Sequence, residues 1–165
     1  MQAINILDIK QFMQLLFQTN ALDSYEFVSA TIQTDMTYSL DGHANHNFFS
    51  EEDSLTYSLT NSTYLSWCLA KERIFLLIKG KKTPSQLKIV LRASQTETDA
   101  LLTSTKSSLK SNDIDGIFIN ILFQENKLNV ISGISYKIFT LDKNLEAEFS
   151  NNIITLFKSN NITCE

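Results

Sequence analysis

The sequence predicts an α+β fold: an antiparallel sheet of about five to six strands packed by about four helices, in a single domain spanning residues 1–165. Three observations lead there. Apolar residues alternate with polar ones through two long stretches, 28–40 and 117–138. They recur at helical spacing in three others, 7–17, 64–79 and 145–157. A content of 43% hydrophobic and 10% aromatic residues, with only 4 glycines and 1 proline, then requires that regular elements around a core fill most of the chain.

The first helix is read between Leu7 and Phe17, where Leu7, Ile9, Phe12, Leu15, Leu16 and Phe17 mostly follow helical spacing and Asp8 stands where a carboxylate favours a helix N-terminus. From Val28 to Leu40 the even positions are mainly apolar and the odd ones polar, the signature of a strand with one wet face. A two-residue hairpin inside this run would break its parity. The reading is therefore one long or bent strand, with an odd-length loop near Thr34 and Asp35 as the alternative. Asp41-Gly42 is a dipeptide favoured in type I′ turns, so the chain reverses or exits there. Residues 50–63, acidic and rich in hydroxyls, make a loop or a short frayed helix opened by Ser50 three residues before Asp53.

Tyr64 to Lys79 reads as one helix stopped at Gly80, with Lys79, Lys81 and Lys82 near the negative end of its dipole; the competing reading is a short helix and a strand Ile74 to Ile78. A strand follows from Leu87 to Ala93. A helix from Thr96 to Lys110 is opened by Thr96 or Thr98. Ile117, Ile119, Ile121 and Phe123 line one face of a central strand, and Glu125-Asn126 turns the chain. Leu128, Val130, Ile134, Tyr136 and Ile138 continue the alternation through Gly133, where a bulge or bend is expected. Asp142 caps a last helix carrying Leu145, Phe149, Ile153, Leu156 and Phe157.

The N-terminal stretch lacks the uninterrupted apolar run of a signal peptide, because Asp8, Lys10 and Gln11 break it, and it is expected to stay in place and fold. The longest wholly apolar run, Ile74 to Ile78, is far short of the roughly 20 residues that cross a bilayer as a helix. Two cysteines, Cys68 in an apolar stretch and Cys164 near the end, imply free thiols in a reducing cytoplasm rather than a disulfide framework. Burial in that apolar stretch would raise the Cys68 pKa and leave the thiol inert.

Charge is unevenly spread. Between Lys71 and Arg92 seven basic residues face one acid, a local +6, which leaves −10 on the rest of a chain whose total is −4. Within that segment Lys79, Lys81, Lys82, Lys88 and Arg92 are the candidate contacts for a phosphate or a nucleic-acid backbone. The acidic total, the presence of only two arginines and the lack of aromatics among the lysines argue against nucleic acid. His43 and His46 are the only histidines, followed by Glu51, Glu52 and Asp53. They are the candidate metal ligands, for a metal-dependent hydrolase, although a loop leaves their geometry open. Phe48-Phe49 point to opposite faces if extended, so one is a candidate interface residue. No nucleophile elbow, dinucleotide fingerprint or phosphate-binding glycine loop is present, and Asp113 and Asp115 read as shaping a turn at Gly116. No cofactor is implied.

The strings Tyr38-Ser39-Leu40-Asp41-Gly42, Phe48-Phe49, Leu77-Ile78-Lys79-Gly80-Lys81-Lys82-Thr83-Pro84 and Ile138-Phe139-Thr140-Leu141-Asp142, with Trp67, resemble an uncharacterised family of small single-domain bacterial cytosolic proteins. The resemblance covers nearly the whole chain and implies a bacterial, cytoplasmic protein. The family has no assigned activity, so no residue role carries over. The expectation is a non-enzymatic binding or protein-interaction module, engaging a protein partner or a second copy of itself.

Overall fold

The chain enters the sheet at once. In the computed structural model, which describes residues 2–165, β1 (Gln2–Ile6) precedes α1 (Ile9–Gln18). This strand was not foreseen from the sequence, because only Ile4 and Ile6 mark its five residues before the helical pattern begins. Asp8 caps α1 as expected, its carboxylate accepting from the Gln11 amide at 3.2 Å.

The predicted long strand is instead a hairpin, β2 (Glu26–Gln33) and β3 (Thr37–Asp41), joined by Thr34, Asp35 and Met36. A three-residue loop preserves parity, which is why the alternation alone did not reveal the reversal. A bulge at Val28 turns both Phe27 and Ala30 inward. Asp41-Gly42 does not form a type I′ turn, since no glycine has positive φ among the described residues. Gly42 is required for space: a Cβ there would lie 1.9 Å from the Phe27 carbonyl oxygen.

Beyond it come α2 (Glu51–Thr56), capped by Ser50, the short β4 (Leu65–Ser66), and α3 (Trp67–Ile78). The single-helix reading of this region holds, but α3 stops at an extended Lys79 and not at a left-handed Gly80. After β5 (Gln86–Arg92), α4 (Gln95–Ser104) is capped by Ser94, whose hydroxyl accepts from the Glu97 amide, and ends six residues short of Lys110. β6 (Ile114–Gln124) and β7 (Lys127–Tyr136) are joined by Glu125-Asn126, with φ of 51° and 58°, the left-handed pair that a two-residue hairpin needs. The bulge falls between Ile114 and Gly116; Gly133 pairs regularly with Phe118. The alternation stops at Tyr136, leaving Phe139 (88%) and Leu141 (80%) exposed in a loop before α5 (Asn144–Ser159). Asp142 accepts from the Asn144 amide, although Lys143 occupies the cap position.

The sheet is antiparallel, in the order β1-β7-β6-β5-β2-β3, with β4 beside β2. Its register aligns apolar residues in rows, such as Ile4-Val130-Ile121-Ile89-Ala30-Leu40 and Ile6-Leu128-Phe123-Leu87-Ile32-Tyr38. These rows face the core, where Phe12, Leu16, Trp67, Ile74, Phe149 and Phe157 of the helices join them. Rows of the opposite face, such as Ala3-Ile131-Asn120-Val90-Ser29-Asp41, are half-buried or exposed. The two edges differ. β1 is covered at one end by the chain's own C-terminal segment: the Asn5 and Leu7 amides donate to the Glu165 and Thr163 carbonyls at 2.7 and 2.9 Å. Among the described residues, β3 pairs only with β2.

Candidate functional site

At the end of β3 the chain leaves the sheet and returns 22 residues later, between Gly42 and Tyr64. A narrow neck holds the excursion. His43 bridges Tyr64, the Ala44 amide donates to the Thr63 carbonyl at 2.9 Å, and the Leu65 amide donates to the Gly42 carbonyl at 2.9 Å. Past the neck, a 3-10 turn at His46–Phe48 and α2 fold back toward α3. Between them and the sheet lies a hollow of roughly 370 Å³. Phe48, Phe49 and Tyr57 form its outer wall, Leu40 and Phe27 its sheet side, and Leu69, Arg73 and Ile74 its helix side. Phe48 and Phe49 stand edge to face with ring centres 5.4 Å apart, and Phe48 is 79% exposed.

Phe48 and Phe49, read as interface candidates, thus line one hollow together. Of its other lining residues, His43 is a sequence candidate only as a metal ligand, and Leu69, Arg73 and Ile74 were missed, although they fall on one helical face and the arginine interrupts it. His43 stands at the rim. Its amide donates to Asp41 Oδ1 at 2.9 Å, its Nδ1 lies 2.6 Å from the same oxygen, and its ring packs on Tyr64 with centres 4.7 Å apart. The bond from the His43 amide, and next that from the ring, hold the Asp41 carboxyl below the usual carboxylate range. A depressed folded pKa stabilises the neck above the ordinary carboxylate pKa and is lost as pH falls through the folded value. Asp41→Asn should therefore lower the urea midpoint at pH 7, and the gap to the wild-type protein should close below about pH 4. Midpoints measured across a pH series check this; a gap that widens in acid would refute the role given to Asp41.

His46 lies elsewhere. Its Nε2 donates to the Ser62 carbonyl at 2.8 Å, and it borders a separate hollow with Glu51 and Leu55. Among the described residues no group of three or more His, Cys, Asp or Glu side chains is arranged to hold a metal ion.

The basic segment is divided by the fold. Lys71 Nζ meets Asp23 at 2.6 Å, and Arg92 lies 3.6 Å from Glu26 and donates to the Asp115 carbonyl at 2.8 Å. Lys79, Lys81 and Lys82 occupy the turn between α3 and β5, and Lys88 projects from the outer sheet face beside it, at the end of β5 opposite Arg92. Cys68 is exposed at the start of α3, not buried as its apolar neighbours suggested; partial desolvation, and then Asp23, still push its thiol pKa up.

Residues 14–165 match the model of a family of unknown function, DUF5721. The chain belongs to that family. No curated protein and no solved structure matches it. Nothing in the DUF5721 description assigns an activity, so the functional reading of this member rests on its geometry. No helix of the described residues is long and apolar enough to cross a membrane.

Proposed function

We propose that this DUF5721 protein is a non-enzymatic interaction module that captures an extended polypeptide. The captured segment adds as a strand to the outer edge of β3 and seats one apolar side chain in the adjoining hollow. One observation carries the reading: among the described residues β3 has no partner along its whole outer side, while at the opposite edge residues 163–165 pair with β1 at Asn5–Leu7. Open edges are usually blunted by lysine, proline or a bulge, and Thr37–Asp41 contains neither residue and pairs with β2 without a register shift. Main-chain hydrogen bonds along an edge supply affinity, and a pocket for alternate side chains supplies selectivity. The hollow beside Leu40, with exposed aromatics and Arg73 at its rim, has that form. Two free thiols fit a reducing compartment, and the family resemblance supports placing the module in a bacterial cytoplasm.

Random peptides selected on the wild-type protein test this reading. Winners should alternate apolar and polar positions, protect the Thr37, Ser39 and Asp41 amides from hydrogen exchange, and bind Ser39→Pro at least about tenfold more weakly. Peptides that bind both proteins equally, or acidic ones that protect the Lys79–Lys82 turn and leave as salt rises, would replace it with a phosphate-type contact through Lys79, Lys81, Lys82 and Lys88.

A further inference from the structure

We infer that the polypeptide received at β3 is a second copy of this chain, an inference that rests on the strand-addition reading above. The alternation of hydrogen bonds along the hairpin sets which groups are free. The Gly42 amide donates to Val28 and the Thr34 amide to Met36, so Leu40 and Tyr38 exchange bonds with β2 while Thr37, Ser39 and Asp41 direct their amides and carbonyls outward. The outward strand, Thr37-Tyr38-Ser39-Leu40-Asp41, has a pattern symmetric about Ser39: polar, apolar, serine, apolar, polar. An antiparallel pairing on a two-fold axis needs a self-complementary edge of this kind.

Placing Ser39 opposite the partner's Ser39 sets Thr37 against the partner's Asp41 and Tyr38 against the partner's Leu40. Like charges never face each other, and the Asp41 carboxylate meets a threonine hydroxyl. The apolar row Ile32-Tyr38 continues into the partner's Leu40 and Ala30, so the core face of one sheet runs into that of the other. The same register carries the partner's Met36 opposite Gly42, over the mouth of the hollow. Met36 is 57% exposed, an unbranched apolar side chain at a hairpin tip, and the wall it meets is Phe48 and Phe49. A thioether against aromatic edges is a favourable contact that adapts to an irregular pocket. Each copy thus supplies the residue that fills the other's hollow.

Sedimentation of the full-length protein over a concentration series, with wild type beside Ser39→Pro and Met36→Ser, tests the inference. Proline at 39 removes an amide that β2 does not use, so the fold should persist by far-UV circular dichroism. Wild type should be a dimer, and Ser39→Pro should dissociate at least about tenfold more readily. In a Cys68→Ser, Cys164→Ser background, Ser39→Cys should form a disulfide-linked dimer on mild oxidation, because hydrogen-bonded antiparallel partners stand about 5.5 Å apart at Cα, within disulfide reach. A dimer indifferent to Ser39→Pro, or one that crosslinks through Phe139→Cys and not Ser39→Cys, overturns the inference. A monomer at every concentration also overturns it; if selected peptides still protect β3, strand addition survives without the second copy, and if none do, both readings fall.

Discussion

Trp67→Ala should remove a large part of the protein's stability. Removing a fully buried tryptophan costs about 3 to 5 kcal/mol, against a total stability on the order of 5 to 15 kcal/mol. Trp67 is 0% exposed, between Phe17 and Phe27 with ring centres at 5.6 and 6.1 Å. It also performs a polar task. Leu16 sits in the last turn of α1, where carbonyls lack helical partners, and the Trp67 indole N–H donates to its oxygen at 3.0 Å. The same residue opens α3 and ties it to the segment entering β2 through its amide, which donates to the Tyr25 carbonyl at 2.8 Å. Trp67→Phe separates the two contributions: it keeps most of the apolar volume but leaves the Leu16 carbonyl unsatisfied, at about 1 to 3 kcal/mol. Trp67 is the single tryptophan, so urea unfolding should be followed by far-UV circular dichroism. An alanine variant within about 1 kcal/mol of wild type would mean that the core is not organised around this ring.

Gly42→Ala is expected to destabilise by about 2 kcal/mol or more and to loosen the hollow as well. The added methyl would stand 1.9 Å from the Phe27 carbonyl oxygen and 2.7 Å from its carbonyl carbon. Both are backbone atoms of the neighbouring strand, so no side-chain rotation relieves the clash. The strands must part where Gly42 donates to Val28 and accepts from Leu65, which is the base of the excursion neck. Gly80→Ala is the control. A Cβ there meets nothing within 4 Å and φ is not positive, so the change should be neutral or slightly stabilising, by about 0.5 kcal/mol. Urea midpoints of the two variants, with exchange of the Ala44 and Leu65 amides as a local probe, check both. Equal midpoints would show that the sheet absorbs the methyl at Gly42.

The elements that sequence reading located correctly are those whose pattern is long and local. β6, β7 and α5 each repeat one period over ten or more residues, and their positions were legible without any neighbour. Errors cluster where a short-range signal has two physical solutions. Even-position alternation through 28–40 fits one strand or a hairpin with an odd loop, and burial of Ala30, Ile32, Tyr38 and Leu40 on the same face distinguishes neither. Local sequence points Gly42, Gly80 and Gly133 to a tight turn, a helix stop and a bulge or bend, the conformations glycine permits. Gly42 is instead needed for the absence of a side chain, and that requirement depends on Phe27, fifteen residues away.

The candidate site divides in the same way. Phe48 and Phe49 stood out because two adjacent large apolar residues point to opposite faces if extended, so that one reaches the surface, and both line the hollow. Leu40 and Tyr57 were silent, since each suits an ordinary strand or loop. His43 and His46 are three residues apart, yet the neck assigns one to Asp41 and the other to Ser62. The basic run from Lys71 to Arg92 is contiguous along the chain, but a helix, a turn and a strand separate its members.

The sequence by itself determined the class of fold, the wet and dry faces of the sheet and the helices that cover the dry one, because periodicity is the chain's own geometry. Only the tertiary structure decided which edge of the sheet stays open and which residues meet beside it. Those depend on the strand order and on the C-terminal residues covering one end of β1, pairings between segments that local propensity cannot encode.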